Sequence, residues 1–581
     1  MTIADTGHDD LDKALHASSQ LEGLQKKATI SPFALVSRAR DDVPRLETAL
    51  DSFGYFGNRV TITIEGHDIG DPDLPAVLDD VPAGKDVTAK IAIETGPLYH
   101  LRDLVLQGTV PESARKALKI DRGAPAVSAE LVAGAGRMLA ALQEDGYAFA
   151  KVTGPTADAD DAAHVLDVTY DVEPGARVQI GAIALKGLKD VNEDFVRGAL
   201  TVHSGDLYKP SKIEAARQTL VQLGVFSGVS VRAADHATAD GRVPLTFDFT
   251  ERKRHAVNFT ALYSTDLGLS VSTTWSHRNL FGNAEQLNLT AMATQIGGNA
   301  TSGLGYDVSA QFIKPDFLAL DQSLEFDLSG VKASLEAYDQ TAETLGGVFR
   351  RKFSRLWSGS AGLTVTEDQV TQEDVTRLYQ ILGLPVTANY DSTGINGLIG
   401  DPVKGYRASF AVTPTVALGA GTLGFVVLQA SGSTYFDISG DGRSVLALRA
   451  LAGSIEGGTN TDLPPDQRLY AGGSATVRGY AYQSIGPLFA DDNPIGATSV
   501  DAATIEYRQR ILGDWGAAAF VDAGQASAQP TPFTGTLRVG TGVGARYYTP
   551  IGAVRVDLAV PVTPIPHGDA FEVYLGLGQA F

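Results

Sequence analysis

Beyond Lys253 the sequence is built from short alternating segments that carry their charged residues on one face only. In residues 553–562, for example, valine and leucine alternate with Arg555 and Asp557. Successive side chains of a β-strand point to opposite faces, so each segment has one apolar and one polar face. Arginine directed at lipid costs about 2 to 4 kcal/mol at mid-bilayer, whereas a wet lumen tolerates it. The pattern therefore predicts a transmembrane antiparallel β-barrel over residues 253–581.

The length of this region sets the expected number of strands. At about 20 residues for a strand with its connection, the region accommodates roughly 16 strands. The 63 glycines of the chain suit such a turn-rich β-protein. A soluble β-sandwich or propeller is the alternative, but it does not require charges to keep so consistently to one face of each strand.

The first 250 residues carry a different, repeated pattern. A glycine that ends a helix and precedes a strand recurs at Gly54, Gly146 and Gly224, at intervals of roughly 80 to 90 residues. Each interval contains a strand, two helices and two further strands, which gives a βααββ unit. Generic α+β domains would show the same order of elements. The expected units are residues 1–94, 95–174 and 175–252.

The first of these units departs from the pattern in two ways. No alternating segment precedes its helices, so we expect its first strand to be missing. Its Pro- and Asp-rich stretch at 67–86 lengthens the first interval and is expected to be an insertion.

Composition excludes several classes of function. The net charge of -21 argues against nucleic acid, whose phosphates would be repelled, and it offers no basic patch for anionic lipid. The chain has no cysteine, so it forms neither a disulfide framework nor a thiolate metal site.

The start of the sequence does not look like an export signal. Residues 1–19 have neither a basic region nor an apolar core, and no run of about 18 apolar residues occurs to form a helical span. Because a transmembrane β-barrel of this kind must be exported, we expect either that the signal peptide has been removed from this sequence or that its start was placed too far downstream. We favour the second alternative, because the first repeat is also expected to lack its first strand.

One stretch of the barrel region, residues 468–487, stands out as a candidate site. An arginine between apolar residues needs a counter-charge where water is scarce. Downstream strands place Asp522 and Glu506 on their polar faces, and Phe520 shares the face of Asp522. We therefore predict a lid loop whose Arg478 docks on these luminal partners. The motif of this loop is Val477, Arg478, Gly479 and Tyr480.

The end of the sequence predicts a strand that closes the barrel. Its apolar residues alternate up to a final aromatic, and we expect this strand to pair with the first strand near residues 254–264. Gly576 and Gly578 contribute no side-chain packing, so this junction is a plausible gate. The residues that share its apolar face are Phe571, Val573, Leu575, Leu577 and Phe581.

Motifs for chemistry are missing from the sequence. The ten histidines show no metal-binding spacing, and the run Gly472-Gly473-Ser474 lacks the last glycine of a hydrolase elbow. No phosphate- or dinucleotide-binding glycine pattern follows a strand. We therefore expect no enzyme activity, no metal and no cofactor.

Several segments resemble the bacterial outer-membrane insertases, the superfamily that contains BamA and TamA. The segments VRGY, FVDAG and GVGARYYTPIGAVRVDLAVP carry this resemblance, at residues 477–480, 520–524 and 542–561. YSTDLG at 263–268 and PPDQRLYAGG at 464–473 are most similar to the TamA branch, the outer-membrane subunits of translocation and assembly modules.

This resemblance implies an architecture and a function. The βααββ units would be POTRA repeats in the periplasm, followed by a 16-stranded barrel in the bacterial outer membrane. The expected function is insertion or translocation of autotransporter-type and other β-barrel proteins through a gate between the first and last strands, and conduction of lipid is a further expected activity. The expected partners are an inner-membrane-anchored, TamB-like protein, unfolded outer-membrane proteins and the lipid bilayer. Residues that match the terminal-strand signal of the family are Tyr574, Gly576 and Phe581.

Two other functions compete with this expectation. A two-partner secretion transporter shares the VRGY motif but normally has two POTRA repeats and a plug helix. A passive porin would have an open lumen and no need of periplasmic repeats.

Overall fold

The computed structural model describes most of the chain, and the described part forms two compact units. Met1–Lys186, Leu200–Thr219 and Ser230–Asp248 make up one unit, and Gly187–Ala199, Leu220–Val229 and Phe249–Phe581 the other. None of the helices within the described ranges is long and apolar enough to cross a membrane. The described residues are 1–24, 31–82, 85–395, 400–419, 421–550, 552–566, 568–579 and 581.

The first repeat forms a four-stranded sheet in the order β1-β4-β2-β3. In its helical layer, buried Asp42 accepts hydrogen bonds from Ser19 Oγ (2.8 Å) and from the N–H groups of Gln20 (2.8 Å) and Leu21 (2.9 Å), and so fixes the start of α2. The elements are β1 (Thr2–Ile3), α1 (Asp9–Ser18), α2 (Gln20–Gly23), α3 (Pro32–Ser52), β2 (Arg59–Ile64), β3 (His67–Asp68), α4 (Leu74–Asp79) and β4 (Ala89–Glu94).

The prediction that the first repeat lacks its first strand is wrong. Thr2 and Ile3 pair in parallel with Lys90 and Ile91 of β4. Two residues are too few to produce a recognisable alternation, which is why the sequence pattern missed this strand. The stretch at 67–86 contains β3 and α4.

The second and third repeats confirm the βααββ order, with three-stranded sheets in the orders β5-β7-β6 and β8-β10-β9. In each repeat the first and last strands are parallel neighbours. The second repeat consists of β5 (His100–Gly108), α5 (Glu112–Ala117), α6 (Ser128–Glu144), β6 (Lys151–Asp160) and β7 (Val165–Glu173). The third consists of β8 (Gln179–Lys186), α7 (Glu193–Ala199), α8 (Pro210–Gln222), β9 (Phe226–Ala233) and β10 (Arg242–Glu251).

A closed antiparallel barrel of 17 strand segments follows these repeats. The first nine segments are β11 (His255–Ser264), β12 (Gly268–His277), β13 (Gln286–Gly297), β14 (Gly305–Pro315), β15 (Gln322–Ser334), β16 (Asp339–Lys352), β17 (Trp357–Gln372), β18 (Val375–Gly383) and β19 (Val386–Asp391). The remaining eight are β20 (Gly405–Leu418), β21 (Thr422–Asp437), β22 (Ser444–Glu456), β23 (Ser499–Leu512), β24 (Trp515–Ser527), β25 (Arg538–Thr549), β26 (Gly552–Pro561) and β27 (Glu572–Leu577).

Two of these segments, β18 and β19, are parts of one wall strand, because both pair with β17 and with β20. The barrel therefore has 16 strands, and the predicted fold is confirmed. Leu384 and Pro385 separate the two segments. Proline has no N–H to donate to a ladder, but its carbonyl still accepts from Gly362 (2.9 Å), while the Leu384 N–H bonds Pro414 (2.9 Å).

The outer wall of the barrel is apolar and the lumen is charged, as β26 shows. Val554, Val556 and Leu558 are exposed on the outside, whereas the side chains of Arg555 and Asp557 are 15% and 0% exposed. Every second residue of a strand faces the same side, so one strand serves both environments.

Replacing Leu142 with alanine tests the core of the second repeat. Leu142 of α6 is fully buried, and truncation of a buried leucine costs about 2 to 5 kcal/mol because a cavity remains. Val132 on the same helix is 61% exposed, so Val132→Ala should stay within about 0.5 kcal/mol of wild type. The measurement is the urea concentration at which a protease starts to cut the repeats of the full-length protein. Equal concentrations for both variants would contradict the assigned core.

Candidate functional site

A long loop between β22 and β23 enters the barrel and carries the predicted motif. Its backbone folds back on itself through isolated bridges between Leu469 and Ala497 and between Ala471 and Ile485. The motif residues Val477, Arg478, Gly479 and Tyr480 are all buried. The loop is thus an ordered luminal segment.

Arg478 lies at the centre of this segment, and its side chain is 2% exposed. Its Nε and Nη2 donate to the two carboxylate oxygens of Asp522 at 2.7 and 3.1 Å, and its backbone N–H donates to the same carboxylate at 3.0 Å. Nη1 donates to Glu506 at 2.8 Å. This two-pronged contact with Asp522 is the strongest form of a side-chain ion pair. The structure thus brings Arg478 together with both predicted carboxylates.

Phe520 completes the environment of this guanidinium. The Cζ of Arg478 lies 3.3 Å from the centroid of the Phe520 ring. The face of an aromatic ring carries negative potential, so this stacking stabilises the cation on the side that no carboxylate covers. Although burial opposes the charge, Asp522 and Glu506 hold the pKa of Arg478 above its ordinary value.

The ion pair belongs to a larger buried cluster. Arg508 Nε donates to Glu506 at 2.8 Å, and Arg546 Nη2 lies 3.8 Å from the same carboxylate. Arg546 also bonds Asp557, and Arg555 Nη1 lies 3.6 Å from Asp557. Asp557 further accepts from the loop arginine at 3.4 Å. Arginines and carboxylates alternate in this cluster, so each buried charge lies beside an opposite charge that compensates for its lost contact with water.

The neighbours of the arginine dock the loop on the last strands. Tyr480 Oη bonds the Val539 carbonyl at 2.8 Å, and the Gly479 N–H donates to Tyr574 Oη at 3.2 Å. Gly479 adopts a φ of +93°, which favours glycine. A Cβ at Gly540 would lie 2.0 Å from the Arg478 carbonyl. The loop backbone therefore contacts the wall directly.

A second buried arginine anchors the start of the loop. Arg468 donates to the Leu463 carbonyl at 2.8 and 3.1 Å and to Gln372 Oε1 of β17 at 2.9 Å. Close by, burial raises the pKa of Asp466, whose carboxyl group contacts Asp368 of β17. The loop is therefore held on two sides of the lumen.

The barrel closes between β11 and β27 through a very short ladder. Among the residues that the structure describes, the pairs in register are Tyr263 with Leu575 and Ser264 with Tyr574, whereas β11 and β12 share ten such pairs. Beside the ladder, Thr265 donates its N–H to the Val573 carbonyl at 3.0 Å. The junction, called the seam below, is thus paired at one end. The location of this strand beside β11 is as the sequence analysis expected.

The two other residues of the terminal motif lie in β27 and beyond it. Tyr574 points into the lumen and is 2% exposed, and Gly576 follows it on the same face.

The prediction that Phe581 continues the apolar face of the last strand is wrong. β27 ends at Leu577, and the Phe581 ring stacks on Tyr435 at 6.4 Å and lies 5.3 Å from the guanidinium of luminal Arg508. Gly578, with a φ of +88°, turns the chain at this point. An aromatic ring gains cation–π contacts in the charged lumen, which strand periodicity does not reveal.

Sequence reasoning missed several members of the cluster. Asp557 and Arg555 had been recognised as a polar strand face, but no local signal connects them to a loop about 80 residues away. Arg546 and Arg508 carry no local signal that connects them to the loop either. The available signal was that each of these residues lies on the polar face of its own strand.

In the ranges that the structure describes, no group of three or more His, Cys, Asp or Glu side chains could hold a metal ion.

Arg478→Ala should destabilise the barrel strongly. It leaves Asp522 and part of the Glu506 charge buried without a partner, at a cost of about 3 to 5 kcal/mol. The measurement is the temperature at which the barrel loses its folded mobility in a semi-native gel. Arg355 is an exposed residue of the turn after β16, so Arg355→Ala is the matched control and should not change that temperature.

A double variant identifies the cause. In the Arg478→Ala background, Asp522→Ala should cost less than it does alone, because no orphaned charge then remains. Additive effects of the two substitutions would contradict the ion pair.

Comparisons with known proteins place this geometry in a family. Residues 279–581 match the family described as "Omp85 superfamily domain", and residues 178–252 match the POTRA family described as "Surface antigen variable number repeat". The outer membrane protein assembly factor BamA of Neisseria meningitidis serogroup B is 22% identical over 575 residues, covering 87% of this chain and 70% of that protein. BamA of Nitratidesulfovibrio vulgaris is 23% identical over 520 residues, covering 84% of this chain but only 63% of that protein.

Solved structures show the same fold. BamA from Haemophilus ducreyi lacking POTRA domains 1–3 superposes with a TM-score of 0.66 at 17% identity, covering 83% of this chain and 100% of that chain. CdiB from Acinetobacter baumannii gives a TM-score of 0.50 at 14% identity, covering 83% and 90%. The family match spans more than half of the sequence. The chain therefore belongs to the Omp85 superfamily, as an outer-membrane β-barrel with POTRA domains in the periplasm.

Proposed function

We propose that this protein is an assembly factor that helps to insert or translocate autotransporter-type and other β-barrel proteins through the seam. The observation that carries the proposal is the short ladder between β11 and β27. β11 begins directly after the repeats, so its His255 end is periplasmic and the paired end is extracellular. In the described part of the chain, residues 255–262 of β11 have no partner on β27.

A free strand edge is costly in lipid and useful for assembly. In a bilayer every backbone N–H and C=O has to be paired within the protein, so an edge that lacks a partner favours the addition of another strand. Thr265 bonds β27, while Arg254 accepts from Arg278 on the β12 side. Hydrogen-bonding direction alternates along an antiparallel strand. The odd-numbered residues of β11 therefore direct their backbone groups to the seam, where an incoming strand would bind them by β-augmentation.

The ordered loop in the lumen argues against a passive porin. The loop is anchored on both Asp522 and Gln372, and a porin needs an open aqueous channel. In this proposal the loop keeps the charged lumen rigid while the seam opens.

A two-partner secretion transporter is the second candidate. The likeness to CdiB shows the shared fold, but three α+β repeats, the last two with βααββ order, precede this barrel, which is more than that class normally has. We therefore prefer the assembly function.

The finer assignment is to the TamA branch, on the basis of the motifs at 263–268 and 464–473. It includes an inner-membrane-anchored, TamB-like partner and conduction of lipid alongside protein. The partner would bind the periplasmic repeats by adding a strand to a sheet edge, as at β6 of the second repeat. Co-purification of such a partner with the full-length protein, and its loss when the repeats are deleted, tests this part.

We also propose that the protein acts without catalysis, through binding and strand exchange alone.

A reversible cross-link across the seam tests the proposed function. Tyr263 and Leu575 are paired and both face outward, so Tyr263→Cys/Leu575→Cys should form a disulfide at ordinary cross-strand distance. The chain has no native cysteine to interfere. Oxidation should block surface display of an autotransporter, and reduction should restore it. The matched control is Val543→Cys/Leu558→Cys within the wall, which should leave display unchanged. Normal display with a closed seam would reject the proposal.

Conductance in planar bilayers separates the assembly factor from a porin. The wild-type protein should show only small, intermittent currents, because the anchored loop obstructs the lumen. Deletion of residues 472–487 should raise the conductance several-fold. A large and steady wild-type conductance would instead favour a porin.

A further inference from the structure

A cluster of basic residues lies at the periplasmic end of the free β11 edge. Arg252, Lys253 and Arg254 immediately precede the strand, and Arg278 immediately follows β12. The Arg278 N–H bonds the Arg254 carbonyl at 2.8 Å and its Nη1 bonds the Lys253 carbonyl at 3.2 Å. These contacts hold the four residues together in a chain whose net charge is -21. The acidic composition had suggested that no such basic patch exists.

The carboxylates around this cluster do not cancel its charge. Asp190 pairs with Arg254 at 3.1 Å. Glu251 accepts backbone N–H groups of Lys189 and Val191 at 2.7 and 3.1 Å, so donors outside the cluster already engage its carboxylate. Within the described part of the chain, no ion pair involves the exposed ammonium group of Lys253. An excess of positive charge therefore remains.

Two histidines and a tryptophan extend the cluster along the outer face. The rings of His255 and His277 lie 4.7 Å apart, and His255 stacks on Trp275 at 5.3 Å. Trp275 marks the membrane boundary, because tryptophan prefers the interface between lipid and water. The basic residues therefore lie just outside the hydrocarbon layer.

The direction of the seam determines what meets this cluster. β27 is antiparallel to β11, so any strand that takes its place runs from the extracellular end towards His255. A strand that pairs along the whole free edge, up to Val257, would end beside His255 and Arg254. If that strand is the last of its chain, it ends there in a negatively charged carboxylate.

We propose that Lys253, Arg254 and Arg278 bind the terminal carboxylate of a client β-strand paired with β11. This inference rests on the proposed function and defines the chemistry of the partner: an alternating strand that ends at its own free carboxyl group. The ion pairs lie at the rim, where water screens them, so they select and orient the strand more than they hold it. The backbone ladder along β11 supplies most of the affinity.

Peptide binding to the detergent-purified full-length protein tests the inference. The probe is the peptide FEVYLGLGQAF, which copies residues 571–581, synthesised with either a free carboxylate or a carboxamide. The wild-type protein should bind the acid about fivefold more tightly than the amide, and the ratio should shrink at high salt. Arg254→Gln/Arg278→Gln should reduce the ratio to about one, as should Lys253→Gln/Arg254→Gln. The control Lys332→Gln/Arg377→Gln removes the same charge at the extracellular end and should keep the wild-type ratio.

The other outcomes overturn the inference in distinguishable ways. Equal binding of the two peptides by the wild-type protein, or an unchanged ratio in the arginine variants, rejects the carboxylate site but leaves the β11 edge as a binding site. Failure of both peptides to bind rejects the edge and the proposed function together. A ratio of one, with loss of bound phosphatidylglycerol in the arginine variants, assigns the cluster to anionic lipid instead.

Discussion

The buried charge of Arg478 is the constraint on which the rest of the site depends. A guanidinium that is 2% exposed is stable only where carboxylates accept its hydrogen bonds and compensate its charge. Asp522 from β24, Glu506 from β23 and Asp557 from β26 supply these groups. Strands β23, β24 and β26 are thereby tied to one loop, and Tyr480 of the same loop bonds the intervening β25 at the Val539 carbonyl. Because each wall residue alternates with a lipid-facing one, the same strands satisfy the bilayer outside.

The seam is the exception to this rigidity. On one side of the barrel, charge pairs link the loop to successive strands; on the other, the β11–β27 ladder has two pairs. When the barrel wall opens locally, it opens where the fewest backbone hydrogen bonds between strands have to break. The loop contacts β27 through Gly479 and Tyr574. The last strand thus has a polar connection to the rigid side and a weak ladder to the first strand.

Much of this architecture could be predicted from the sequence, because its signals are local. Strand alternation and charge parity gave the barrel and its 16 strands, and helix-ending glycines gave the repeats. Arg478, Asp522 and Glu506 could be brought together because a lone arginine in apolar sequence requires carboxylates and few luminal ones were near. The two-residue strand at Thr2 carried no periodicity. The inward position of Phe581 depends on cation–π contacts with distant strands, which local sequence does not encode.

The loop backbone approaches Gly540 so closely that a substitution there would change the packing of the loop and leave all charged residues of the site unchanged. Any side chain there would collide with the Arg478 carbonyl while every ionisable group remained in the sequence. The methyl group of alanine at this one position would thus push the loop backbone away from the wall and displace Arg478 from its carboxylates, while the number of charged residues at the site stays the same. The fit of the lid consequently depends on a missing methyl group as much as on its salt bridges.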